Sequence, residues 1–374
     1  MTKLRISICL LTLSALISGQ AFAQPGNARE PIGPAPYEVV SLWHQPFAEE
    51  GFAFGGASGV WAESPDRIFL AQRGETILPY PVPPYFRGFA GDMGLNVLTA
   101  TDRRVWRNCL YTLNADGEVL EMFDHLDYLC QDSPGPGPHR IRISPYDPEN
   151  RLWLINETFH QIYVIANDGS EVLATYGEKG VSGNDETHFG RPQDVAFLPD
   201  GRILVADGLD NDRIIVFDND MNYITEFGSA GTGPGGTNTI HTVAIGPDNR
   251  IFVADRAGGG INIWRYTDDP MEYNFERRIG DLTLPLDIIV NENDFWITDL
   301  GPLRFVNYDF DGNLKYTWLV PRELPDGYIE VHTFSIDSDG NLYGGDNQYG
   351  RLQKWTAKPD AGPELLIEPP WSAN

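Results

Sequence analysis

The sequence predicts an all-β protein, a six-bladed β-propeller. One unit repeats along the chain: an apolar strand, a turn of the Pro-Asp-Gly type, a second apolar strand ending in Ala-Asp or a similar pair, and a third strand. From residue 139 onward the unit recurs every 45 to 54 residues, a spacing typical of propeller blades. No amphipathic segment of helical length stands out after the first 23 residues, which argues against helical solenoids and doubly wound sheets.

Six copies of the unit are present. The clearest read PQDVAFLPDGRILVADGLDNDRIIVFD from Pro192 and HTVAIGPDNRIFVADRAGGGINIWRY from His241. Within the strands β-branched and aromatic residues alternate, and Gly, Asp and Asn fill the turns. Six units therefore predict six blades, which together occupy residues 37–357.

Segments outside the repeat have separate expected roles. Tyr37 to Trp43 reads as an extra strand that pairs into the last blade and hides two sheet edges. An insertion at about residues 75–104 interrupts the first blade, and its length predicts a lid over one mouth of the channel. Residues 24–36 and 358–374 are rich in Pro, Gly and Ala, and we expect arms that lie on the surface or are disordered.

The first 23 residues read as a cleavable signal peptide. Lys3 and Arg5 precede a short apolar run, and Ala21-Phe22-Ala23 forms a small-residue cleavage site. The run is too short for a permanent membrane anchor, and no later stretch is comparably apolar. We therefore expect a secreted or periplasmic protein that has no membrane partner.

Charge and cysteine content agree with export. The formal net charge is −26, and −28 once Lys3 and Arg5 are removed, which disfavours nucleic acid and anionic membranes as partners. Solubility explains such an acidic surface, and we expect a monomer. Cleavage also removes Cys9, so Cys109 and Cys130 are expected to form one structural disulfide.

Three histidines share one position of the repeat. Aligning the six units on the residue that opens the innermost strand gives Ser58, His139, Gln193, His241, Leu286 and His332. The histidines fall on alternate blades, about 120° apart in a six-bladed ring, so their imidazoles should meet on the axis. Three neutral nitrogens with a vacant position suit a catalytic zinc ion. The alternative, polar residues lining a wet channel, does not explain the alternation.

The remaining histidines show no such register. We expect them on the surface or in turns, at positions His44, His125, His160 and His188.

The repeats resemble those of the NHL family, and the histidine pattern resembles peptidyl-α-hydroxyglycine α-amidating lyase. The likeness covers roughly residues 58–355 outside the insertion. It implies that the three histidines bind zinc and that Arg73, in the run Gln72-Arg73-Gly74, is the catalytic arginine. The family's Ala-Asp-Arg segment is present here, and it ends at Arg256.

The sequence departs from that family at two places. Leu209 stands where the family has its catalytic tyrosine, so another base is needed, and Glu330 is the new ionisable side chain beside a zinc ligand. The carbonyls of Val60 and Ile141 stand at positions of the family's calcium site, but Thr333 replaces its aspartate. Zinc is therefore the expected cofactor, with calcium as a second expectation.

These features predict a zinc-dependent lyase that acts on a small or peptide-like substrate bearing a hydroxyl and an anionic group. Arg73 and Arg256 would hold the anion, unless they pair with repeat aspartates such as Asp207 or Asp255. Glu330 would be the base, unless it is a solvated glutamate at the rim. The alternatives are a zinc-dependent ester or lactone hydrolase and a non-catalytic propeller that binds a protein or glycan.

Overall fold

The structure is a computed structural model, and it describes residues 32–80, 90–323 and 325–373. The expected signal peptide and most of the N-terminal arm lie outside these residues. Six four-stranded antiparallel sheets form the body of the protein, as the repeat predicts. Their innermost strands lie next to one another around a common channel.

The strands of each blade run outward from the channel in a regular order. From the innermost strand outward, the first blade consists of Ala57–Ser64, Arg67–Gln72, Leu110–Leu113 and Val119–Met122, and the second of Pro138–Ile143, Leu152–Asn156, Gln161–Ile165 and Val172–Tyr176. The third blade consists of Asp194–Phe197, Ile203–Asp207, Arg213–Phe217 and Tyr223–Phe227, and the fourth of Ile240–Gly246, Arg250–Asp255, Gly260–Tyr266 and Tyr273–Ile279. The fifth blade consists of Pro285–Val290, Asp294–Leu300, Leu303–Asp309 and Leu314–Leu319, and the sixth of Thr333–Ile336, Leu342–Asp346, Arg351–Ala357 and Tyr37–Val40.

The sixth blade closes the ring with a strand from the other end of the chain. Tyr37–Val40 pairs antiparallel with Arg351–Ala357, placing Tyr37 opposite Ala357. This confirms the extra strand, which ends three residues earlier than expected. Pairing satisfies the backbone groups at what would otherwise be an open sheet edge.

The hydrophobic core lies between the blades, because alternate residues of each strand point to opposite faces of a sheet. Between the fifth and sixth blades, Phe305 stacks on Trp318 with ring centroids 4.5 Å apart, and Trp355 packs on both. The innermost strands of the first two blades approach closely at Gly59, where an added Cβ would lie 2.8 Å from the Ile141 nitrogen.

Short strands and 3-10 helices lie outside the six four-stranded sheets. The described residues also include the strands Phe52–Phe54, Glu75–Ile77, Arg104–Val105, Ser229–Ala230 and Gly236–Thr237 and the 3-10 helices Ala90–Met93, Thr101–Arg103, Asp124–Leu129 and Pro363–Leu365. Within that part of the chain, no helix is long and apolar enough to cross a membrane.

The described part of the first blade's insertion that follows residue 89 contacts the mouth at which the innermost strands begin. The Val97 amide donates to the Gln348 carbonyl of the sixth blade (2.8 Å), and Arg104 Nη1 donates to the Gly135 carbonyl at the entrance to the second blade (3.2 Å). Residues 81–89, at its centre, lie outside the described part. The two contacts place Val97 and Arg104 at one mouth, which we call the histidine mouth, and the role of the insertion as a lid stays a prediction.

The C-terminal tail covers the opposite mouth. The Trp371 amide donates to the Val290 carbonyl (2.7 Å), and the Ala373 amide donates to the Tyr146 hydroxyl (3.1 Å). Beneath it lies a largely apolar cavity of about 210 Å³, lined by the far ends of the innermost strands and by Trp371. The described end of the tail thus lies on the surface of the propeller, and we call this end the tail mouth.

Cys109 and Cys130 are joined by the expected disulfide. It links the entry of the first blade's third strand to the 3-10 helix Asp124–Leu129. The same helix is held by Asp127, whose carboxylate accepts hydrogen bonds from the amides of Asn108 and Cys109.

Candidate metal centre

The three histidines of the repeat converge in the channel as the register predicts. His139, His241 and His332 are all buried, and their ring centroids lie 4.8 to 5.0 Å apart. One ligand nitrogen from each lies within 4.8 Å of the others. This is a site that could hold one metal ion.

β-bulges occur at two of the three histidines. In the first, second, fourth and fifth blades, the pairing of the innermost strand skips one residue near the start of the strand. The skipped residues are Ser58, His139, His241 and Leu286. A bulged residue is freed from the alternation of the strand, so its side chain can be aimed differently. At these four positions, the conformation of the backbone as well as the type of residue therefore contributes to the ring.

Backbone carbonyls of the intervening blades orient the imidazoles. His139 Nδ1 lies 2.7 Å from the Gln193 carbonyl and His332 Nδ1 lies 2.9 Å from the Ser58 carbonyl, while His241 Nδ1 contacts the carbonyl of Leu286. A carbonyl only accepts hydrogen bonds, so each Nδ1 carries the proton and each Nε2 keeps a lone pair. Such outer contacts fix metal-binding histidines in orientation and tautomer.

The arrangement fits a cation. His139 Nε2 and His241 Nε2 lie 3.3 Å apart with no proton between them, so two lone pairs face each other. Burial lowers the pKa of all three histidines well below the usual value, and the positive charge of nearby arginines adds to this effect at each of them. They are therefore neutral, the state in which imidazole binds metal.

A buried ionic cluster closes the channel behind the triangle. Arg140 Nη1 lies 2.7 Å from Asp287, and Arg142 bridges Asp194 (2.8 Å) and Asp287 (3.1 Å). Arg140 also donates to the Thr242 hydroxyl at 3.0 Å. Two carboxylates thus neutralise two guanidinium groups inside the protein.

The expected calcium carbonyls lie on the strand that carries these arginines and on its neighbour in the first blade. Ile141 lies between Arg140 and Arg142 in the sequence, and Val60 lies on the adjacent strand of the first blade. The nearby guanidinium groups supply positive charge, which disfavours a second cation. Calcium binding by Val60 and Ile141 stays a prediction.

Arg73 lies at the histidine mouth, buried, with 2 % of its surface exposed. It pairs with Glu157, Nη1 to Oε1 at 2.9 Å, while its Nε is buried without a partner among the described residues. The alternative partners are therefore wrong: Asp207 pairs with Arg213, and Asp255 pairs with Arg278.

Arg256 lies half-buried at the same mouth. Its side chain makes no hydrogen bond or ion pair with any residue that the structure describes. After burial, its charge is the largest cause of the lowered pKa of His241, and it also acts on His332. Arg73 acts on all three histidines. Both arginines thus lie close enough to the triangle to hold a negative group beside it.

Glu330 is buried, not solvated at the rim. Its Oε2 accepts a hydrogen bond from Gln348 Nε2 at 2.6 Å, and its charge acts on Arg73. Behind it lies Asp346, whose pKa is raised to about 7 by burial and by the Glu330 charge. Asp346 accepts three backbone hydrogen bonds, as expected for a repeat aspartate that stabilises its turn.

One expectation about the remaining histidines is wrong. His44 is in a bend but buried, stacked on Phe54 with ring centroids 4.2 Å apart, and its Nδ1 accepts a hydrogen bond from the Leu352 amide. Burial lowers its pKa to about 3. His44 packs in the core where the first and sixth blades meet. Its burial could not be predicted from the spacing of histidines along the chain. His125 is exposed, and His160 and His188 are half-buried.

Sequence reasoning missed Glu157 and Arg191, which belong to the same polar group. Arg191 Nη2 lies 2.7 Å from Glu157 Oε2. The repeat does carry a signal for Glu157, because it follows the second strand of its blade just as Arg73 and Arg256 follow theirs.

Comparisons with known proteins agree with this architecture. A family described as a 6-bladed beta-propeller matches residues 182–319. Peptidyl-glycine alpha-amidating monooxygenase of Mus musculus is 32 % identical over 233 residues, covering 59 % of this chain and 23 % of the relative. A probable peptidyl-alpha-hydroxyglycine alpha-amidating lyase of Caenorhabditis elegans is 30 % identical over 167 residues, 44 % of this chain and 43 % of the relative. NHL repeat-containing protein 3 of Homo sapiens is 33 % identical over 135 residues, which cover 34 % of this chain and 39 % of the relative.

The fold and the site define a six-bladed β-propeller with a three-histidine site that could hold a metal ion. Within that class, the chain is homologous to peptidyl-α-hydroxyglycine α-amidating lyases and NHL repeat proteins, at moderate identity. The matches span less than half the length of these relatives. An auxiliary nutrient binding protein from Bacteroides thetaiotaomicron shares the fold, with a TM-score of 0.57 and 9 % identity over 86 % of this chain and 76 % of that one.

Proposed function

We propose that this protein is a secreted zinc-dependent lyase that cleaves small or peptide-like carbinolamides bearing an anionic group. The observation that carries the proposal is the convergence of three neutral imidazoles whose Nε2 lone pairs face one point beside two arginines. Three histidine nitrogens are a ligand set typical of catalytic zinc. The lyase relatives support the reaction class.

The triangle would hold zinc through Nε2 of His139, His241 and His332. When bound, zinc supplies acidity to a substrate hydroxyl and stabilises the negative charge that develops there. The ionic cluster around Arg140 closes the channel on the far side, so substrate would enter from the histidine mouth.

The surrounding side chains of this chain would bind and orient the substrate. Arg73 and Arg256 would hold its carboxylate, which places the carbinol carbon toward the triangle. Glu330 would accept the hydroxyl proton. As the carbon–oxygen double bond forms, the carbon–nitrogen bond breaks, and its electron pair stays on the amide nitrogen. Glu330 then returns the proton to that nitrogen, releasing an amide and a glyoxylate-type aldehyde.

The experiment is metal analysis of the purified protein combined with a substrate panel. The expected result is about one zinc per chain and amide release from hydroxyglycine compounds. Cleavage of esters or lactones alone would favour the zinc-dependent hydrolase. A protein without metal that turns over neither class would favour a binding propeller and overturn the proposal.

Export is part of the same proposal. The Cys109–Cys130 disulfide is consistent with an oxidising compartment. Sequencing the N-terminus of the exported protein should find Gln24 first, and retention of Met1 would contradict the signal peptide.

A further inference from the structure

A second ring of equivalent positions lies above the histidine ring. It consists of the residue that follows the repeat aspartate, or its counterpart, at the end of each second strand. Its members are Arg73, Glu157, Gly208, Arg256, Leu300 and Asn347. The two arginines are the expected anion-binding residues, and Glu157 is the only carboxylate in the ring.

Both oxygens of Glu157 are engaged. Oε1 accepts from Arg73 Nη1 at 2.9 Å, and Oε2 accepts from Arg191 Nη2 at 2.7 Å and from Gln193 Nε2 at 3.3 Å. Glu157 is buried, with 3 % of its surface exposed. A buried carboxylate with this many charge-assisted partners has a single orientation, and it imposes that orientation on its partners.

The same contacts reach the metal triangle. The Gln193 side chain donates to Glu157, while the Gln193 carbonyl is the acceptor for His139 Nδ1 at 2.7 Å. Arg73 and His139 are thus joined through two residues of the second and third blades. One end of this chain of contacts holds the guanidinium and the other holds a ligand imidazole.

Arg73 depends on Glu157 more than a surface arginine would. Its side chain is buried, and Glu157 is its hydrogen-bonded carboxylate, so removing that carboxylate leaves a buried cation unpaired. Because Glu157 takes only Nη1 and the Arg73 Nε has no partner among the described residues, the guanidinium keeps donors for a ligand.

We propose that Glu157 is a positioning residue: it orients Arg73 toward an anionic group of the ligand and couples that orientation to the metal ligand His139. The proposal rests on the proposed function for the identity of the anion, a carboxylate next to a hydroxyl-bearing carbon.

The test compares two ligands of similar size, one with a carboxylate and the other with a neutral amide at that position. Titration calorimetry on the purified, metal-containing protein would measure the dissociation constants of glycolate and of glycolamide. Wild type should prefer glycolate. In Glu157→Gln the glycolate affinity should fall about tenfold while glycolamide changes by less than about threefold, since the neutral ligand gains nothing from Arg73. Metal content should stay at the wild-type value.

Two further variants make the result specific. Glu157→Asp keeps the charge on a shorter side chain and should restore part of the glycolate preference. Glu226→Gln removes a carboxylate paired with Arg213 (2.6 Å) on the outermost strand of the third blade and should leave both affinities unchanged. If Glu157→Gln does not fold, Glu157→Asp decides, with a glycolate preference below wild type as the expected result.

The inference is overturned if wild type shows no glycolate preference, if Glu157→Gln keeps it, or if both ligands weaken equally. Failure of the proposed function is separate. A wild type that binds glycolate in a Glu157-dependent way but releases no amide from hydroxyglycine compounds would refute the lyase and leave the role of Glu157 intact.

Discussion

The two mouths of the channel are built from the same six repeats but differ in chemistry. At the histidine mouth, neutral imidazoles, two arginines and two buried glutamates surround a point where a cation fits. At the tail mouth, apolar side chains line a cavity that Trp371 and its neighbours cover. Between them lies the ionic cluster of Arg140 and Asp287, which separates the two environments.

The two ends of the innermost strands serve different purposes in this repeat fold. At the histidine mouth, the innermost strands of four blades begin with a bulge that frees one residue to face the axis, and a change of residue type at this position creates a ligand set. At the tail mouth the far ends of the same strands present mainly Val, Ile and Phe to the cavity. Metal chemistry is thus expected at one end, and packing at the other.

The largest expected effect is loss of the metal in His241→Ala. Removing one of three nitrogens leaves an incomplete ligand set, and we expect most of the zinc to be lost together with activity. Metal analysis by mass spectrometry checks this. His125→Ala, at an exposed histidine outside the triangle, is the matched control and should keep its zinc. Unchanged metal content in His241→Ala would mean that the triangle is not the metal site.

Removal of the disulfide should be the largest effect on stability. Replacing Cys109 and Cys130 by Ser should cost roughly 3 kcal/mol of unfolding free energy, because the unfolded chain gains freedom. Denaturant titration of wild type and double variant measures the difference. Two free thiols in freshly exported wild-type protein, found by mass spectrometry without reduction, would refute the bond.

Arg73→Lys should impair turnover without removing metal. Lysine keeps the charge but loses the planar fork, so we expect a loss of roughly 1.5 to 3 kcal/mol of transition-state stabilisation, about ten- to a hundredfold in kcat/KM. Steady-state kinetics with metal analysis checks this once a substrate is known. Wild-type kcat/KM in both Arg73→Lys and Arg73→Ala, with zinc in place, would reduce the arginine to a structural role.

The smallest effect is expected at the tail mouth. Trp371→Ala removes a half-buried aromatic ring and should lower stability by about 1 kcal/mol while leaving zinc content and kcat/KM unchanged. Thermal unfolding and the same kinetic assay measure both. A loss of zinc in this variant would show that the two mouths are coupled and would contradict the separation of metal binding from apolar packing.

Much of the site follows from the repeat register alone. His139, His241 and His332 occupy one repeat position, and a propeller converts one position into one ring, so their convergence needed no knowledge of packing. The disulfide followed from the cysteine count, and the closing strand from the pattern at Tyr37.

The ion pairs formed by the residues that follow the second strands could not be predicted from the repeat register. Arg73 and Glu157 are 84 residues apart, and Arg73 could equally have been matched with the repeat aspartates Asp207 or Asp255. Which carboxylate it meets depends on the angle between the first and second blades and on the depth at which each side chain is buried. His44 was misjudged for the same reason, and the sequence left open whether Glu330 is buried or solvated, since burial depends on segments far away in the chain.

The number of blades, the ring of three histidines, the closing strand and the disulfide could be predicted from the sequence, because each depends on local pattern, on periodicity or on the cysteine count. The Arg73–Glu157 pair, the burial of Glu330 and the placement of the tail over the far mouth became visible in the folded protein alone. Those features depend on contacts between blades, where the geometry of the closed ring brings together residues that no spacing along the chain relates.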